Sequence, residues 1–333
     1  MRFLVTGGAG FIGSNYVRHL LESDPDAEVT NLDKLTYAGN PASVADLDGD
    51  PRHRFVRGDI CDAELLAELV PGHDAIVNFA AETHVDRSIV EPVEAIRTNT
   101  LGVTTLAEAA RLAGVQRFVQ VGTDEEYGTI GRGSFSERDR LDPSSPYSAG
   151  KAGGSLVALA FATTHKLDVV VTRCTNNYGP YQHPEKVIPL FVTNLIDGEK
   201  VPLYGGGGNI RDWLYVRDHC AAIDLVLRRG ASGQVYNIGA DNEVANIDLT
   251  RAILAAFGAG DEMIEYIADR PGHDWRYSLD ATRIRELGWK PAHDFKAGLA
   301  ETIAWYRDNQ AWWRPLKPLG ANRTLDHGRA PEA

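Results

Sequence analysis

The chain has little of what metal centres, disulfide frameworks and membrane spans require. Its 333 residues include three cysteines, Cys61, Cys174 and Cys220, which are too far apart for a metal-ligand pattern or a disulfide framework. Its ten histidines are scattered, with no pair spaced i, i+4. No stretch approaches the ~18 apolar residues of a membrane span. The sequence therefore predicts neither a metal site nor a membrane protein.

Positive charge is also scarce. The chain has 34 Lys and Arg residues against 46 Asp and Glu residues, which gives a net charge of -12. Because nucleic acids and anionic membranes repel an acidic surface, neither is expected as a partner. The N-terminus leads directly into a strand-like run, without a basic segment followed by an apolar one, and this favours a cytoplasmic protein.

What the first half contains is a regular alternation of strand-like and helix-like segments. The predicted strands are 2–6, 28–33, 54–59, 75–80, 117–121 and 168–173, several of them nearly continuous in Val, Ile, Phe and Leu. Ile12, Tyr16 and Leu20 form a helical stripe between the first two strands. Alternating βαβ units of this kind indicate the α/β class, with a doubly wound parallel sheet.

The second half follows a different pattern. Residues 180–189 are loop-rich and open a predicted helix that runs through Leu195, whereas 235–238 is strand-like and is expected to rejoin the sheet. We therefore predict two interleaved domains and a tail. The sheet domain comprises 1–175 and about 205–240, the smaller C-terminal domain comprises 176–204 and 241–315, and the tail comprises 316–333.

A glycine-rich turn, residues 6–13 (TGGAGFIG), joins the first strand to the first helix. Glycines at 7, 10 and 13 match a dinucleotide-binding turn, in which they allow a tight turn, admit the pyrophosphate and let helix and strand pack closely. The helix N-terminus then favours the anion. Asp33, which ends the second strand 20 residues after Gly13, would bind the adenosine ribose and repel a 2′-phosphate. The sequence therefore predicts a Rossmann-like domain that binds NAD rather than NADP.

The roles of two segments next to this site are less clear from the sequence. Lys34, beside Asp33, would partly offset the repulsion of a 2′-phosphate. Asp59 and Ile60 follow the third strand and are placed to meet the adenine, but a strand-end aspartate is equally typical of a turn.

A tyrosine and a lysine four residues apart, Tyr147 and Lys151, share one helical face. There the ammonium would favour the phenolate, so the pair could remove a hydroxyl proton as hydride leaves the same carbon. Thr123, Asp124 and Glu125 precede this pair, with Glu125 22 residues upstream of Tyr147. One of the two carboxyl groups could take a carbon-bound proton while the other protonates a leaving hydroxyl. Oxidation followed by elimination is the chemistry of a dehydratase.

Four segments together resemble one family over nearly the whole chain. They are Thr-Asp-Glu before Tyr-Gly (123–128), the tyrosine–lysine pair, residues 176–186 (NNYGPYQHPEK) and residues 269–277 (DRPGHDWRY). With these motifs the chain is similar to the dTDP-glucose 4,6-dehydratases, extended members of the short-chain dehydrogenase/reductase superfamily. The resemblance implies that Tyr147 is the base at C4, assisted by Thr123 and Lys151. It implies that Asp124 is the acid for the C6 hydroxyl, that Glu125 is the base at C5, and that the hydride returns to C6.

The resemblance also implies two sets of binding residues, which overlap the dinucleotide turn. Those near NAD are Gly7, Gly10, Phe11, Ile12, Gly13, Asp33, Lys34, Leu35, Thr36, Asp59, Ile60, Ala80, Ala81, Thr83, Thr98, Tyr147, Lys151 and Asn177. Those near the sugar nucleotide, dTDP-glucose, are His84, Thr123, Asn176, Lys186, Val187, Pro202, Tyr204, Arg211, Asn246, Arg270, His273 and Arg276. Arg211 and Arg276 are the favoured diphosphate ligands because guanidinium groups bind phosphate oxygens bidentately, although a surface salt bridge is an alternative for either.

Three positions depart from the family pattern. Gly122 stands where serine is usual, and Glu126 stands where valine is usual. Glu126 adds a third carboxyl group near the acid–base pair, and like charges disfavour ionisation. Gly150 replaces a residue that is often hydroxylated. Glycines at 150, 153 and 154 weaken the predicted helix, so we expect either the cofactor or another helix to approach it closely.

Two other functions remain open from the sequence. A nucleotide-sugar 4-epimerase would share the NAD turn and the tyrosine–lysine pair but would not need the carboxyl groups at 124 and 125. A non-catalytic NAD-binding sensor is the alternative outside enzymes. The family resemblance implies a homodimer built on helices, and the small residues at 149–154 would suit close packing there or simply admit the cofactor.

Overall fold

The computed structural model describes residues 1–269 and 273–317. Its strands are β1 (Arg2–Thr6), β2 (Glu28–Asp33), β3 (His53–Arg57), β4 (Ala75–Asn78), β5 (Arg117–Thr123), β6 (Val169–Cys174), β7 (Asn176–Tyr178), β8 (Val201–Tyr204), β9 (Ile210–Tyr215), β10 (Val235–Ile238), β11 (Glu243–Ala245) and β12 (Ile264–Ile267). Its α-helices are α1 (Phe11–Ser23), α2 (Ala63–Leu69), α3 (Val85–Val90), α4 (Pro92–Ile96), α5 (Val103–Ala113), α6 (Pro146–His165), α7 (Val187–Ile196), α8 (Val216–Arg229), α9 (Asn246–Ala256), α10 (Thr282–Glu286), α11 (Phe295–Asp308) and α12 (Gln310–Trp313). A π-helix, Arg97–Gly102, joins α4 to α5.

The main sheet is the doubly wound sheet that the sequence predicted. Its strand order is β10-β6-β5-β4-β1-β2-β3, and every neighbouring pair runs parallel. The order reverses between β1 and β4, and at such a point the carboxyl ends of parallel strands open a crevice for ligands. The strand-like run 235–238 does rejoin this sheet, beside β6.

Separate apolar clusters cover the two faces of the main sheet. On one face Tyr16 and Leu20 of α1 and Ile223 of α8 are fully buried against the strands. On the other face Leu66 of α2 and Leu106 of α5 are equally buried. Coverage on both faces explains why the strands read as continuous apolar runs rather than as alternating ones.

The second half builds a third apolar cluster around two small sheets. Strand β9 pairs with β7 in parallel and with β11 in antiparallel, and β8 pairs with β12 in parallel. Helices α7, α9 and α11 pack on these strands. The sequence analysis did not predict the strands of these two small sheets, because segments of three to six residues give too little periodicity to identify them.

Helix α6 lies unusually close to the segment from α4 to the π-helix. An ideal Cβ on Gly154 would come within 2.2 Å of Asn99 O, and one on Gly153 within 2.7 Å of the Thr100 Oγ1. On Gly150 it would come within 3.1 Å of Ala95 O. The sequence left open whether these glycines admit the cofactor or another helix. In the structure they admit the segment from α4 to the π-helix of the same chain.

Within the described ranges, no helix combines the length and the apolar character that crossing a bilayer demands. In the same part of the chain, no group of three or more His, Cys, Asp or Glu side chains is arranged to hold a metal ion.

Candidate active site

The glycine turn between β1 and α1 forms the floor of a cleft at the carboxyl edge of the main sheet. Gly7 has a left-handed backbone, with φ of +72°, and an ideal Cβ there would lie 2.6 Å from Ala80 N. At Gly13 a Cβ would lie 2.2 Å from Gly7 O, so the helix could not approach the strand as it does. Side chains are excluded at both positions by backbone atoms, as a dinucleotide-binding turn requires.

Asp33 closes one end of the cleft. Its carboxylate accepts hydrogen bonds from Ala9 N (2.9 Å) and Leu35 N (2.8 Å), and burial raises the pKa of this carboxyl group while both bonds oppose that shift. The neighbouring Lys34 points elsewhere, since its ammonium lies 2.9 Å from Asp59 Oδ2. Lys34 is thus paired with Asp59 rather than with Asp33.

The opposite wall follows β4. Asn99, buried in the π-helix, accepts from Glu82 N (2.8 Å) and donates to Glu82 O (3.1 Å). These two bonds fix the segment that carries Ala80, Ala81 and Thr83 into the cleft. Lys186, at the start of α7, donates to Thr83 O (3.0 Å) and ties this wall to the second half of the chain.

The predicted acid–base residues lie where β5 ends against α6. Thr123 is the last residue of β5, two residues beyond the predicted strand end, and Asp124 and Glu125 begin a short 3-10 turn. The Thr123 hydroxyl donates to Asp124 Oδ1 (3.1 Å). On α6, Tyr147 and Lys151 are one helical turn apart, and the Lys151 ammonium donates to Val121 O (2.6 Å). All five residues line the same cleft.

Burial dominates the ionisation of this group. Desolvation raises the pKa of Asp124 well above its usual range, and the Glu125 carboxylate raises it further. Desolvation also raises the pKa of Tyr147, the Glu125 carboxylate raises it further, and desolvation lowers the pKa of Lys151. The shift at Tyr147 is opposite to the one expected from its pairing with Lys151. Asp124 is therefore set up to carry a proton, whereas Tyr147 needs additional positive charge to lose one.

The cleft contains polar atoms that the described protein groups do not satisfy. Six residues that line it carry a buried side-chain oxygen without a hydrogen-bond partner in the described part of the chain: Asp124, Thr175, Asn176, Asn177, Gln182 and Glu185. Burying such atoms is costly unless they are paired. Their convergence on a cleft with about 1550 Å³ of empty space, part of it open to solvent, fits a large polar ligand.

The residues predicted to bind NAD lie in the cleft, whereas most of those predicted to bind the sugar nucleotide lie outside its lining. Every predicted NAD residue lines the cleft except Leu35, which borders it through its hydrogen bond to Asp33. Of the residues assigned to the sugar nucleotide, Thr123, Asn176 and Lys186 line it, and His84 lines a smaller adjacent pocket. Arg270 lies outside the described residues. The others lie outside the cleft lining: Val187, Pro202, Tyr204, Arg211, Asn246, His273 and Arg276.

The two favoured diphosphate ligands are engaged in other contacts. Arg211 is 5% exposed, donates to Asp274 O (2.9 Å) and Ile210 O (2.7 Å), and stacks over Tyr277. Arg276 forms a bidentate pair with Glu243, with both N–O distances at 2.6 Å. The salt-bridge alternative therefore describes Arg276 in this structure, and the diphosphate role of both arginines stays a prediction.

Several cleft residues escaped the sequence analysis. Gln182, His183 and Glu185 belong to the motif at 176–186, yet only its ends had been assigned to ligands. Cys174 lines the cleft together with Asp124 and Lys151, and burial raises the pKa of its thiol. A lone cysteine at a strand end carries no sequence signal for this position.

Comparison with known proteins identifies the family. The family model described as GDP-mannose 4,6 dehydratase matches residues 4–302. A dTDP-glucose 4,6-dehydratase of Streptomyces niveus is 56% identical over 322 residues, covering 95% of this chain and 96% of that one. The chain belongs to the dTDP-glucose 4,6-dehydratase family.

Two solved members of the dTDP-glucose 4,6-dehydratase family share its fold. DesIV from Streptomyces venezuelae, solved with NAD and TYD bound, superposes with a TM-score of 0.94 at 56% identity and covers 95% of this chain and 100% of that one. The enzyme from Bacillus anthracis, solved in complex with NAD, gives 0.89 at 47% identity with the same coverage. The resemblance inferred from four sequence motifs is thereby confirmed.

Proposed function

We propose that this chain is an NAD-dependent dTDP-glucose 4,6-dehydratase, a hydro-lyase that makes dTDP-4-keto-6-deoxyglucose. One observation carries the proposal: Asp124, whose pKa is raised by burial, and its neighbour Glu125 share a dinucleotide-type cleft with Tyr147 and Lys151. The tyrosine–lysine pair alone would suffice for a dehydrogenase or an epimerase. An acid and a base at adjacent positions are needed when water is also eliminated.

The residues around the cleft fit NAD as cofactor. The glycine turn presents backbone at the N-terminus of α1, Asp33 faces the ribose position, and Asn177 and Thr175 offer unpaired oxygens. NAD supplies the hydride acceptor at C4 and the donor at C6, and brings a cationic ring into a site whose own charges are mainly carboxylates. The pairing of Lys34 with Asp59 leaves Asp33 to exclude NADP.

In the first half-reaction, Tyr147 accepts the C4 hydroxyl proton. Burial raises the pKa of its phenol and the Glu125 carboxylate raises it further, so positive charge from Lys151 and from the cofactor would be needed to make the phenolate accessible. The ammonium of Lys151 is held in place by Val121 O. Thr123 adds a hydroxyl at the end of β5 that can hydrogen-bond the reacting oxygen.

In the second half-reaction, the two carboxyl groups act in opposite directions. A ketone at C4 acidifies the C5 hydrogen, which Glu125 then removes. Asp124 delivers its proton to the C6 hydroxyl, so that water rather than hydroxide leaves. The enone accepts hydride at C6 and regains a proton at C5 from Glu125. Each step prepares the next inside one cleft.

The substrate-binding residues are proposed from both the cleft and the resemblance. Asn176 and Lys186 lie in the cleft beside Thr123, and His84 lies next to it, 3.6 Å from the carboxylate of Glu185. Arg211 and Arg276 would reach a diphosphate by exchanging their present contacts with Asp274 O and Glu243 for phosphate oxygens.

We propose a homodimer built on α3 to α6. Large apolar side chains are exposed on these neighbouring helices and on the π-helix, including Val90 (64%), Val93 (74%), Leu101 (52%) and Leu156 (55%). An apolar face of this kind is typical of an interface, and the same face on a second copy would be self-complementary about a twofold axis. We also propose that the enzyme is cytoplasmic, since its three cysteines are unpaired.

Turnover of dTDP-glucose in heavy water tests the proposed function. Because the Glu125 proton exchanges with solvent before it returns, the 4-keto product should carry deuterium at C5. The hydrogen at C6 comes from substrate C4 and should remain protium. Mass spectrometry and NMR of the product distinguish these positions. An epimerase would form no deoxy product, a non-catalytic sensor would form no product at all, and deuterium at C6 with none at C5 would rule out internal hydride return.

The variant Glu125→Gln separates the two half-reactions. It should still permit oxidation at C4 but stall elimination, which would leave reduced cofactor bound and visible by its absorbance. The exposed Glu22→Gln variant is the control and should turn over as the wild type does. Full turnover by a folded Glu125→Gln enzyme would contradict the assignment of the C5 base.

A further inference from the structure

Glu126, the residue after the acid–base pair, is buried at the junction of three elements. Its side chain is fully buried, and Oε1 accepts from the Ser155 hydroxyl (2.9 Å) and from Thr123 N (3.3 Å). Ser155 lies on α6, one helical turn after Lys151. One carboxylate oxygen therefore links the end of β5, which carries Thr123, to the helix that carries the tyrosine–lysine pair.

The other carboxylate oxygen of Glu126 is neutralised from β6. Arg173, whose side chain is 3% exposed, places Nε 2.7 Å from Glu126 Oε2. Its Nη1 donates to the Tyr127 hydroxyl (2.9 Å), which in turn donates to Asn237 Oδ1 (2.9 Å). The third carboxyl group is thus paired, so it does not act as a free negative charge beside Asp124 and Glu125.

Gly122 provides the space for this carboxylate. An ideal Cβ at 122 would lie 2.5 Å from Glu126 Oε1, 3.2 Å from the Ser155 hydroxyl and 2.7 Å from Thr172 O. Two of these three contacts involve the Glu126 hydrogen-bonding group. A side chain at position 122 would therefore collide with the Glu126 carboxylate, so the carboxylate depends on glycine at 122.

We propose that Glu126 is a positioning residue, which uses the space left by Gly122 and the charge of Arg173 to hold the Thr123–Glu125 turn against α6. The inference rests on the proposed function, since it concerns the acid–base roles of Asp124 and Glu125. Its physical basis is the capping geometry of the turn, in which Thr123 N is satisfied by Glu126 and Glu125 N (3.4 Å) by the Thr123 hydroxyl. Two backbone donors of the turn are therefore held by side chains within it.

The test replaces Glu126 and follows both turnover and local order. Glu126→Val removes both acceptors, and Glu126→Gln keeps one acceptor oxygen while losing the charge. Glu137→Gln is the matched control, because that carboxylate is also buried and accepts from Asn237 N (3.0 Å), outside the turn. The readouts are kcat and KM with dTDP-glucose, and hydrogen–deuterium exchange at the amides of Thr123 and Glu125.

We expect Glu126→Val to lower kcat by roughly 10- to 100-fold with KM within about twofold, because small misplacements of catalytic groups have such effects. Glu126→Gln should lose less, and Glu137→Gln should keep kcat within about twofold. The two amides should exchange faster only in the Glu126 variants. Unchanged kcat in Glu126→Val would overturn the proposal, and so would a loss of kcat without faster exchange, since the carboxylate would then act on the reaction directly.

Two further variants keep the proposal testable. If Glu126→Val does not fold, Glu126→Val/Arg173→Met removes the whole buried pair without leaving an unpaired charge, and the same criteria apply. Gly122→Ala should lower kcat more in the wild type than in the Glu126→Val background, because one of its clashes disappears with the carboxylate. Equal effects in both backgrounds would contradict the link between the two positions. If the wild type makes no 4-keto sugar, the proposed function fails, and the exchange comparison alone decides whether Glu126 orders the turn.

Discussion

At the scale of single residues, the adjacent carboxyl groups of Asp124 and Glu125 lie in different surroundings. Asp124 is 3% exposed, has one unpaired carboxyl oxygen in the described part of the chain and has a raised pKa, whereas Glu125 is only half-buried. A buried neutral carboxyl group can donate a proton at neutral pH, and a more exposed carboxylate can accept one. These surroundings support the proposed roles of Asp124 as the acid and Glu125 as the base.

This assignment predicts that the Asp124→Asn variant is more stable but less active than the wild type. Because the folded pKa of Asp124 is raised, its stabilising contribution is present below its unfolded pKa and is lost as pH rises through the folded value. The neutral amide avoids that loss, so the variant should melt at a higher temperature than the wild type at pH 7, with a smaller difference at pH 5. Turnover should fall at least about 100-fold.

The matched control for Asp124→Asn is Asp48→Asn, which replaces an exposed carboxyl group. It should leave both the melting temperature and turnover nearly unchanged. Calorimetry at the two pH values is the measurement. A stability difference for Asp124→Asn that is the same at pH 5 and pH 7 would show that the carboxyl group is not the cause.

The role of Tyr147 predicts that Tyr147→Phe abolishes the first oxidation. The variant loses one hydroxyl and should fold, but kcat should fall by roughly 100-fold or more because proton transfer to a positioned base is lost. Tyr236→Phe is the control, since that hydroxyl accepts from Ala231 N (2.8 Å) away from the cleft. A Tyr147→Phe enzyme that still reduces its bound cofactor on adding dTDP-glucose would refute the base assignment.

At the scale of elements, the site depends on how closely helices pack. The glycines of α6 allow its backbone to approach the π-helix, and this places Asn99 where it can hold the Glu82 backbone against the cleft. π-helical turns often occur at functional sites, and here the turn carries both Thr98 and Asn99. The packing of α6 against the π-helix therefore decides the shape of this wall of the cleft.

Helix α8 contains a buried histidine whose effect on stability depends on pH. His219 is fully buried, neither ring nitrogen has a hydrogen-bond partner in the described ranges, and burial lowers its pKa to about 3. Because the folded pKa lies below the unfolded value of 6.5, its contribution is present above pH 6.5 and is lost as pH falls towards 3.

The variant His219→Gln should therefore be less sensitive to acid than the wild type. Between pH 7 and pH 5 the wild type should lose about 2 kcal/mol of unfolding free energy through this histidine, and the variant should lack that loss. Urea unfolding at the two pH values measures it. The exposed His165→Gln variant is the control and should keep the wild-type pH dependence, whereas equal slopes for His219→Gln and the wild type would contradict the prediction.

At the scale of the whole molecule, the exposed apolar face of α3 to α6 predicts the oligomeric state. Light scattering should give a mass of about twice 36.4 kDa for the wild type. Leu101→Lys/Leu156→Lys should shift the mass towards one chain, because charges at the centre of an apolar interface are costly to desolvate. Tyr266→Lys, at a similarly exposed position on β12, is the control and should remain a dimer.

The mass of the wild type tests whether a dimer forms, and the mass of the double variant tests which surface forms it. A wild type whose mass by light scattering is that of one chain would overturn the dimer proposal. A double variant that stays dimeric would instead place the interface on another surface of the chain.

Much of this molecule was determined by local sequence. The glycine turn, Asp33 and the six strands of the first half followed from spacing and composition, because parallel strands covered on both faces must be apolar throughout. The four motifs identified the family, and the comparisons confirm it. The tyrosine–lysine spacing was enough to place both side chains on one helical face, as α6 shows.

Other features were decided only by the tertiary structure. The short strands β7, β8, β9, β11 and β12 are defined by their partners, which lie far away in the chain. The sequence suggested that Glu126 would disturb the ionisation of its neighbours, but Arg173, 47 residues away, neutralises it. It also left open which groups Arg211 and Arg276 contact, and the fold places them against Asp274 O and against Glu243 of β11. Charge and close packing depend on which groups meet in space, and that information lies in the fold rather than in any short segment.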